Sequence, residues 1–231
     1  MKKVLAFICV FAAVTAAVLW QIFTDSENYY LISVAIIFLL MIPFFADFEK
    51  GANHAGEIAL TAGLIAIAVV SRAAFYLIPQ VKPIAAVVII SGVCLGAKRG
   101  CFIGAMSAFV SNFIFGQGVW TPFQMAALGT VGLLSGIIFS KVKAKKIPLA
   151  IIGFVLVFVF YALIADLSTV LFMTSDYSLA SVLAVYMSGV AFNLVFAVTT
   201  SVCLLLFGEA FIKKINRIVR KYGVLSEQNP L

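Results

Sequence analysis

Charged residues are scarce in this sequence. Only 11% of the 231 residues are Asp, Glu, Lys or Arg, whereas an average globular protein has about 25%. Apolar residues make up 64% of the chain, above the roughly 45–50% that is usual in soluble domains. A chain with so few polar groups cannot cover a water-exposed surface, which excludes an ordinary soluble domain.

Catalytic and nucleotide-binding motifs are also missing. The sequence has no GxxxxGK[ST] phosphate loop, so the chain does not itself use ATP. It has no GxSxG, no HExxH and a single histidine, which leaves no residues for a hydrolase or metalloprotease. The four cysteines lie in or beside apolar runs without metal-ligand spacing, as small packing residues do. We therefore expect no catalytic residues, no metal, no cofactor and no enzyme activity.

Long apolar runs dominate what is present. Their lengths are close to the roughly 17–25 residues that cross a bilayer as a helix, and they lack the alternation of membrane barrel strands. We predict an all-α, polytopic membrane helical bundle of about eight spans. Two spans are expected in an N-terminal extension (1–56) and six in a core (57–207), before a basic tail (208–231). The predicted core spans are 58–78, 84–97, 102–115, 125–140, 148–172 and 179–207.

Two features of this arrangement stay open. Residues 4–23 follow two lysines as in a signal peptide, but the run is long for one and we favour a retained helix. The runs 84–97 and 102–115, joined by a tight basic turn at 98–100, are each about 14 residues, or roughly 21 Å of helix. Since the bilayer core is about 30 Å thick, they are either thin spans or a re-entrant pair.

The net charge of +7 indicates membrane orientation rather than nucleic-acid binding. With both termini in the cytoplasm, all but two of the sixteen Lys and Arg residues fall on the cytoplasmic side. This distribution follows the positive-inside rule. The exceptions are Lys82, in a short outer turn, and Arg72, within a span. We expect a multi-pass protein of the cell membrane.

Ionisable residues inside a span are functional candidates, because each costs roughly 2.5–3.5 kcal/mol at mid-bilayer. Two such residues occur towards the outer face, Arg72 and Asp166. Arg72 either binds a ligand, pairs with Asp166, or simply extends its side chain to the surface.

A polar and aromatic loop at 116–124 is the strongest candidate for a binding site. Asn112, Gln117 and Gln124 bring amides to the same rim as Trp120, a combination suited to a neutral, partly aromatic ligand. The alternative is a connector with an interfacial tryptophan, in which Thr121 caps the next helix. The predicted substrate-binding residues are Arg72, Asn112, Gln117, Trp120, Gln124, Tyr186 and Asn193.

Glycines recur at a spacing of four residues in the middle of the chain. They occupy positions 92, 96, 100 and 104, and again 132 and 136. On a helix this spacing aligns a bare face that allows another helix to approach closely.

Two segments carry a resemblance to a known family. They are SRAAFYLIPQVKP (71–83) and AVVIISGVCLGAKRGCFIGAMSAFVSNFIFGQGVWTPFQM (86–125). Together they resemble the S-component of energy-coupling factor (ECF) vitamin transporters, most closely the cobalamin-type branch. The resemblance implies a subunit that binds a vitamin, with cobalamin or a related corrinoid as first choice. It also implies delivery of the vitamin by toppling within an ECF module of one transmembrane protein and two ATPases.

The resemblance further implies a docking face of small residues on the first core helix. The matching positions are Ala62 and Ala66, with Ala59 and Gly63 alongside. Two other functions remain open on the residues alone: a structural or assembly membrane protein, and a stand-alone facilitator. The expected partners are therefore the ECF subunits, the vitamin and the lipid bilayer, and not nucleic acid.

Overall fold

The computed structural model describes residues 54–173 and 178–223, and all regular elements in these ranges are helical. Two π-helical segments, Leu156–Tyr161 and Leu204–Gly208, join consecutive helices without a break. The helices are α1 (His54–Ala73), α2 (Ile84–Leu95), α3 (Ala97–Phe115), α4 (Thr121–Phe139), α5 (Lys146–Val155), α6 (Ala162–Met173), α7 (Leu179–Cys203) and α8 (Glu209–Tyr222).

Four helical stretches in the described ranges are long and apolar enough to cross a bilayer. The α2 helix is a shorter apolar helix of 12 residues. This confirms the prediction of a polytopic helical bundle. The two predicted N-terminal spans, in 1–53, lie outside the described residues, as does the end of the tail, 224–231. The four long stretches are Ala55–Ala73, Thr121–Phe139, Lys146–Phe172 and Leu179–Tyr222.

The predicted basic turn at 98–100 is wrong, because the chain reverses earlier. Gly96, between α2 and α3, has φ 86°, a value that glycine adopts without the steric cost borne by other residues. Lys98 and Arg99 therefore lie in the first turn of α3, which is 19 residues long rather than about 14. At 1.5 Å per residue, α3 is about 28 Å long, close to the thickness of the bilayer core.

The helix continues without a break from the predicted last span into the predicted basic tail. Leu179–Tyr222 forms one continuous helical stretch of 44 residues, because the π-helical segment Leu204–Gly208 connects α7 to α8. The α8 helix is amphipathic: Ile215 is buried in the core cluster, whereas Lys213, Lys214 and Arg217 are exposed. The apolar side of α8 thus belongs to the bundle and its basic side faces outwards.

The α2 helix lies at the centre of the bundle. Its sequence, IAAVVIISGVCL, is apolar all round, and 11 of its 12 residues are buried. A helix that is apolar all round is covered either by lipid or by other helices, and the burial of α2 shows that other helices cover it. The neighbours that contact α2 are α1, α3, α4, α7 and α8.

Glycines join α2, α3 and α4 by backbone contact. A Cβ atom on Gly132 would overlap the carbonyl oxygen of Gly100, and one on Gly104 would overlap the carbonyl oxygen of Leu128. A Cβ on Gly136 would likewise meet the backbone of Ala97. The four-residue glycine spacing therefore produces the close helix approach that it predicts.

Candidate ligand-binding site

A cavity of about 430 Å³ opens between α4, α6 and α7, beside the segment that links α1 to α2. We call this end of the molecule the pocket end. Aromatic side chains and amides both contribute to the wall, a mixture typical of small-molecule sites. The lining residues that the argument uses are Gln80, Lys82, Trp120, Gln124, Tyr161, Asp166, Phe192 and Asn193.

One wall of the cavity carries a carboxylate held by an amide. Asn193 Nδ2 on α7 donates a hydrogen bond to Asp166 Oδ2 on α6, at 2.6 Å. Gly189 leaves room for this pair, since a Cβ there would lie 2.7 Å from Asp166 Oδ2. The amide oxygen of Asn193 and the second carboxylate oxygen therefore remain as acceptors at the cavity wall.

The segment linking α1 to α2 adds a basic and a polar side chain. Gln80 and Lys82 both line the cavity, and Gln80 has φ 60°, a left-handed conformation uncommon for non-glycine residues. Burial lowers the pKa of Lys82 to about 8, and the positive charge of Arg72 acts in the same direction. This segment thus forms part of the site and is not only a surface turn.

Aromatic rings form other parts of the cavity wall. Trp120, the residue before α4, is 37% exposed. Tyr161, the last residue of the first π-helical segment, packs edge-on against Phe196 with ring centroids 4.9 Å apart. π-Helical turns inside α-helices are frequent at functional sites, and here one directs an aromatic residue into the cavity wall.

Behind the cavity wall, Arg72 is held in a buried polar network. It is 9% exposed, and its Nη1 atom donates to Ser111 Oγ at 2.5 Å and to Asn112 Oδ1 at 2.9 Å. Its guanidinium carbon lies 4.1 Å from the ring centroid of Phe115, a cation–π arrangement. The suggested ion pair between Arg72 and Asp166 does not form. The Asp166 carboxylate accepts a hydrogen bond from Asn193 instead.

The same network continues into the loop before α4. Asn112 Nδ2 donates to Gln124 Oε1 at 2.9 Å and to Thr121 Oγ1 at 3.2 Å. Thr121 also accepts from the Gly118 amide and donates to Gln117 Oε1. Thr121 is thus the first residue of α4 and stabilises the preceding turn, rather than acting as the N-cap that the sequence suggested.

The structure places the predicted binding residues in two groups. Trp120, Gln124 and Asn193 line the cavity. Arg72, Asn112 and Gln117 lie behind it in the polar network, while the Tyr186 hydroxyl donates to the Leu163 carbonyl at 2.9 Å and joins α7 to α6. None of the seven residues has been tested for ligand contact, so their binding roles stay predictions.

Sequence reasoning left several cavity residues out of the predicted site. These residues lie on helices and turns that are far apart in the sequence and become neighbours only in the folded protein. Two of them carry a usable signal: Asp166 is an ionisable residue within a predicted span, and Lys82 is one of only two basic residues not predicted on the cytoplasmic side. The omitted cavity residues with polar or aromatic side chains include Gln80, Lys82, Tyr161, Asp166, Ser168 and Thr169.

A strip of small residues on α1 faces away from the bundle. Ala59, Ala62 and Ala66 are exposed, and a Cβ on Gly63 would have no atom within 4 Å. The large side chains beside them are also exposed, as Ile58, Ile67 and Val70 show. We call this surface the small-residue face of α1.

In the part of the chain that the structure describes, no group of three or more His, Cys, Asp or Glu residues could hold a metal ion. The polar and aromatic groups of the cavity wall are amides, hydroxyls, aromatic rings, one lysine and one carboxylate. Such a wall binds a small organic molecule through hydrogen bonds and ring contacts.

Fold and cavity together define a helical membrane protein with a cavity at one end of the bundle. The model of the family "ECF-type riboflavin transporter, S component" matches residues 53–214, and the chain belongs to this family. It is therefore a substrate-binding subunit of an ECF vitamin transporter and not an enzyme. The match supports the resemblance to S-components but not the cobalamin-type branch.

Neither the comparison with curated proteins nor that with solved structures finds a significant match.

Proposed function

We propose that this subunit captures riboflavin, or a closely related flavin, in the cavity at the pocket end. The observation that carries the proposal is the cavity itself: about 430 Å³, with Trp120 and Tyr161 among its walls. A tricyclic isoalloxazine ring offers a flat face for aromatic side chains and a polar edge for amides. The riboflavin-type family supports the same substrate.

The size of the cavity favours a flavin over a corrinoid. Pockets for drug-sized ligands have volumes of about 300–1,000 Å³, and this cavity lies near the lower end of that range. A corrinoid with its nucleotide loop has several times the mass of riboflavin and cannot be enclosed in such a space. Cobalamin, suggested by the motif resemblance, is therefore the second choice.

The small-residue face of α1 is proposed as the docking surface for the ECF transmembrane subunit. Ala62 and Ala66 are exposed and Gly63 is open, so a partner helix can approach the backbone closely. In this arrangement two ATPases drive transport, because the chain has no phosphate loop of its own.

The proposed orientation places the pocket end outside the cell and the basic end inside. Four lysines after α4 are all exposed, as are the basic residues of α8: Lys141, Lys143 and Lys145 in the connection to α5, and Lys146 as the first residue of α5. Clusters of this kind favour the cytoplasmic side. Both termini are then cytoplasmic.

Binding to the purified protein tests the substrate. Riboflavin loses its fluorescence when its ring stacks against aromatic side chains, so a titration should show saturable quenching, and riboflavin should raise the melting temperature. Cobalamin is the matched comparison ligand. A melting shift with cobalamin alone would reverse the order of the two vitamins, and no shift with either would contradict the binding proposal.

Transport is tested by co-expression with an ECF module in cells that cannot make the vitamin. Uptake of labelled riboflavin should require both the subunit and the module. Uptake without the module would instead support a stand-alone facilitator.

A further inference from the structure

We propose that Arg72 is a positioning residue that acts on the ligand site through Asn112 and Gln124. The proposal rests on the proposed function for its ligand but concerns a residue that does not line the cavity described above. In this proposal, hydrogen bonds connect α1, the helix with the small-residue face, to the cavity wall.

The connection consists of two hydrogen bonds through one amide. Arg72 Nη1 donates to Asn112 Oδ1 at 2.9 Å, and Asn112 Nδ2 donates to Gln124 Oε1 at 2.9 Å. Gln124 lines the cavity. Because the carbonyl of Asn112 is held by Arg72, its amino group can point only towards Gln124 and Thr121, and Gln124 is left with its own amino group for a ligand.

Arg72 is fixed firmly enough to orient Asn112. It is 9% exposed, it contacts Phe115 by a cation–π interaction, and it also donates to Ser111. The Nε atom of Arg72 has no hydrogen-bond partner in the described residues, and the two bonds that hold its guanidinium there are both made by Nη1. A hydrogen bond from a charged donor is worth more than a neutral one.

The position of Arg72 extends its effect to a second part of the wall. It lies in the last turn of α1, directly before the segment that carries Gln80 and Lys82 into the cavity. In that segment Tyr76 packs on Phe115, the ring that Arg72 also contacts, with centroids 5.3 Å apart. Displacement of the end of α1 would therefore move the cavity wall on two sides.

A double-mutant cycle tests whether Arg72 acts through Gln124. Arg72→Met should weaken riboflavin binding about tenfold, the effect of losing one charge-assisted hydrogen bond. If Arg72 acts through Gln124, the same substitution in a Gln124→Ala protein should have little further effect, since coupled residues are not additive. Fully additive losses would overturn the proposal and favour an independent role of Arg72.

The second measurement needs no ligand. The chain has two tryptophans, Trp20 and Trp120, so a Trp20→Phe protein reports on Trp120 alone. In this background, Arg72→Met should increase acrylamide quenching of Trp120 and shift its emission to the red, because the network that holds the loop is broken. Unchanged Trp120 fluorescence would contradict the proposal even if riboflavin is not the substrate.

Two further variants separate positioning from general loss of stability. Ser111→Ala removes one contact of Arg72 and keeps the charge, so it should give a smaller change in the same direction. Arg99→Met is the matched control: Arg99 also joins α1 to α3, through an ion pair with Glu57, but at the opposite end of α1. If Arg99→Met alters Trp120 fluorescence as much as Arg72→Met does, the effect is general loosening and the proposal is wrong.

Discussion

Most of the side chains that line the cavity are uncharged, and several are aromatic. Trp120 is 37% exposed and faces the cavity from the turn before α4, while the Asp166 carboxylate is tied to Asn193 at 2.6 Å. A charged group held in this way keeps its orientation when a ligand enters, which lowers the conformational cost of binding. In the proposed site we expect the aromatic rings to provide most of the contact area and the amides to provide specificity.

Replacement of Trp120 tests the aromatic wall. Trp120→Ala should weaken riboflavin binding about thirtyfold, since an aromatic anchor commonly contributes 2 kcal/mol or more. Titration of flavin fluorescence measures the change. Phe113→Ala is the control, because Phe113 is 67% exposed on α3 and is not among the cavity residues. Equal affinity of the Trp120→Ala and wild-type proteins would exclude the tryptophan from the site.

Because of Lys82, we expect the protein to become more stable as the pH rises. Its pKa is lowered to about 8 by burial and by Arg72, whereas a lysine in the unfolded chain has a pKa of about 10.4. Between these values the unfolded state binds more protons, so the free energy of unfolding rises with pH. The stabilisation is absent well below pH 8 and complete above the unfolded pKa.

The pH effect is measured as a difference between two proteins. The melting temperature of the wild type, relative to that of Lys82→Met, should rise from pH 8 to beyond pH 10 and be level at lower pH. A flat difference for Lys82→Met would mean that Lys82 is solvated in the folded protein.

At the scale of helices, the bundle contains two kinds of contact. The α2, α3 and α4 helices meet through glycine backbones, whereas α5 meets the Leu204–Gly208 segment through longer side chains, with Leu149 close to Gly208 and Leu204 close to Gly153. Interiors are close-packed in both cases, but backbone atoms cannot change rotamer to accommodate added volume. Added volume should therefore be tolerated very differently in the two regions.

A pair of glycine substitutions tests this difference. Gly132→Ala places a Cβ against the carbonyl oxygen of Gly100 and should destabilise the protein by about 1–3 kcal/mol, as overpacking does. Gly63→Ala meets no atom within 4 Å and should be neutral or slightly stabilising, because alanine favours a helix over glycine. Thermal unfolding of the purified proteins gives both values. Equal stability of the two variants would contradict the backbone contact.

Particular helices show how far the sequence predicts this fold and site. Hydropathy identifies the helices but not the buried centre, since a helix that is apolar on all faces, like α2, can face either lipid or other helices. It misplaces the start of α3, because only a backbone angle at Gly96 shows where the chain turns. Trp120 and Gln124 are predictable as aromatic and polar residues beside the end of an apolar run, and Asn193 as a polar residue within one. The partners of Arg72 and the role of Lys82 are not, because they depend on which helices become neighbours.

For the whole molecule, the cavity and the small-residue face of α1 are separate surfaces. The cavity lies between α4, α6 and α7 at the pocket end, whereas Ala62 and Ala66 lie further from that end on α1 and face away from the bundle. We therefore expect substitutions to affect the proposed ligand capture and the proposed partner docking one at a time.

Bulky substitutions on the small-residue face test the separation. Ala66→Trp or Ala62→Trp should leave the riboflavin affinity of the isolated subunit nearly unchanged, abolish uptake, and reduce co-purification with the ECF transmembrane subunit. Val198→Trp is the control, since Val198 is 45% exposed on α7. Normal uptake by both alanine variants would place the docking surface elsewhere, and loss of binding together with uptake would indicate misfolding.

The glycine contacts also make the molecule unequal in stiffness. The α2, α3 and α4 helices form a slab whose glycine contacts are largely backbone to backbone and leave no room for a Cβ atom, and this slab carries Trp120 and Gln124. The opposite cavity wall, with Asp166 and Asn193, belongs to α6 and α7. We therefore expect the site to open when α6 and α7 move away from the slab while the slab stays in place. Distances measured by spin labels within the slab should stay constant on ligand release, while those across the cavity lengthen.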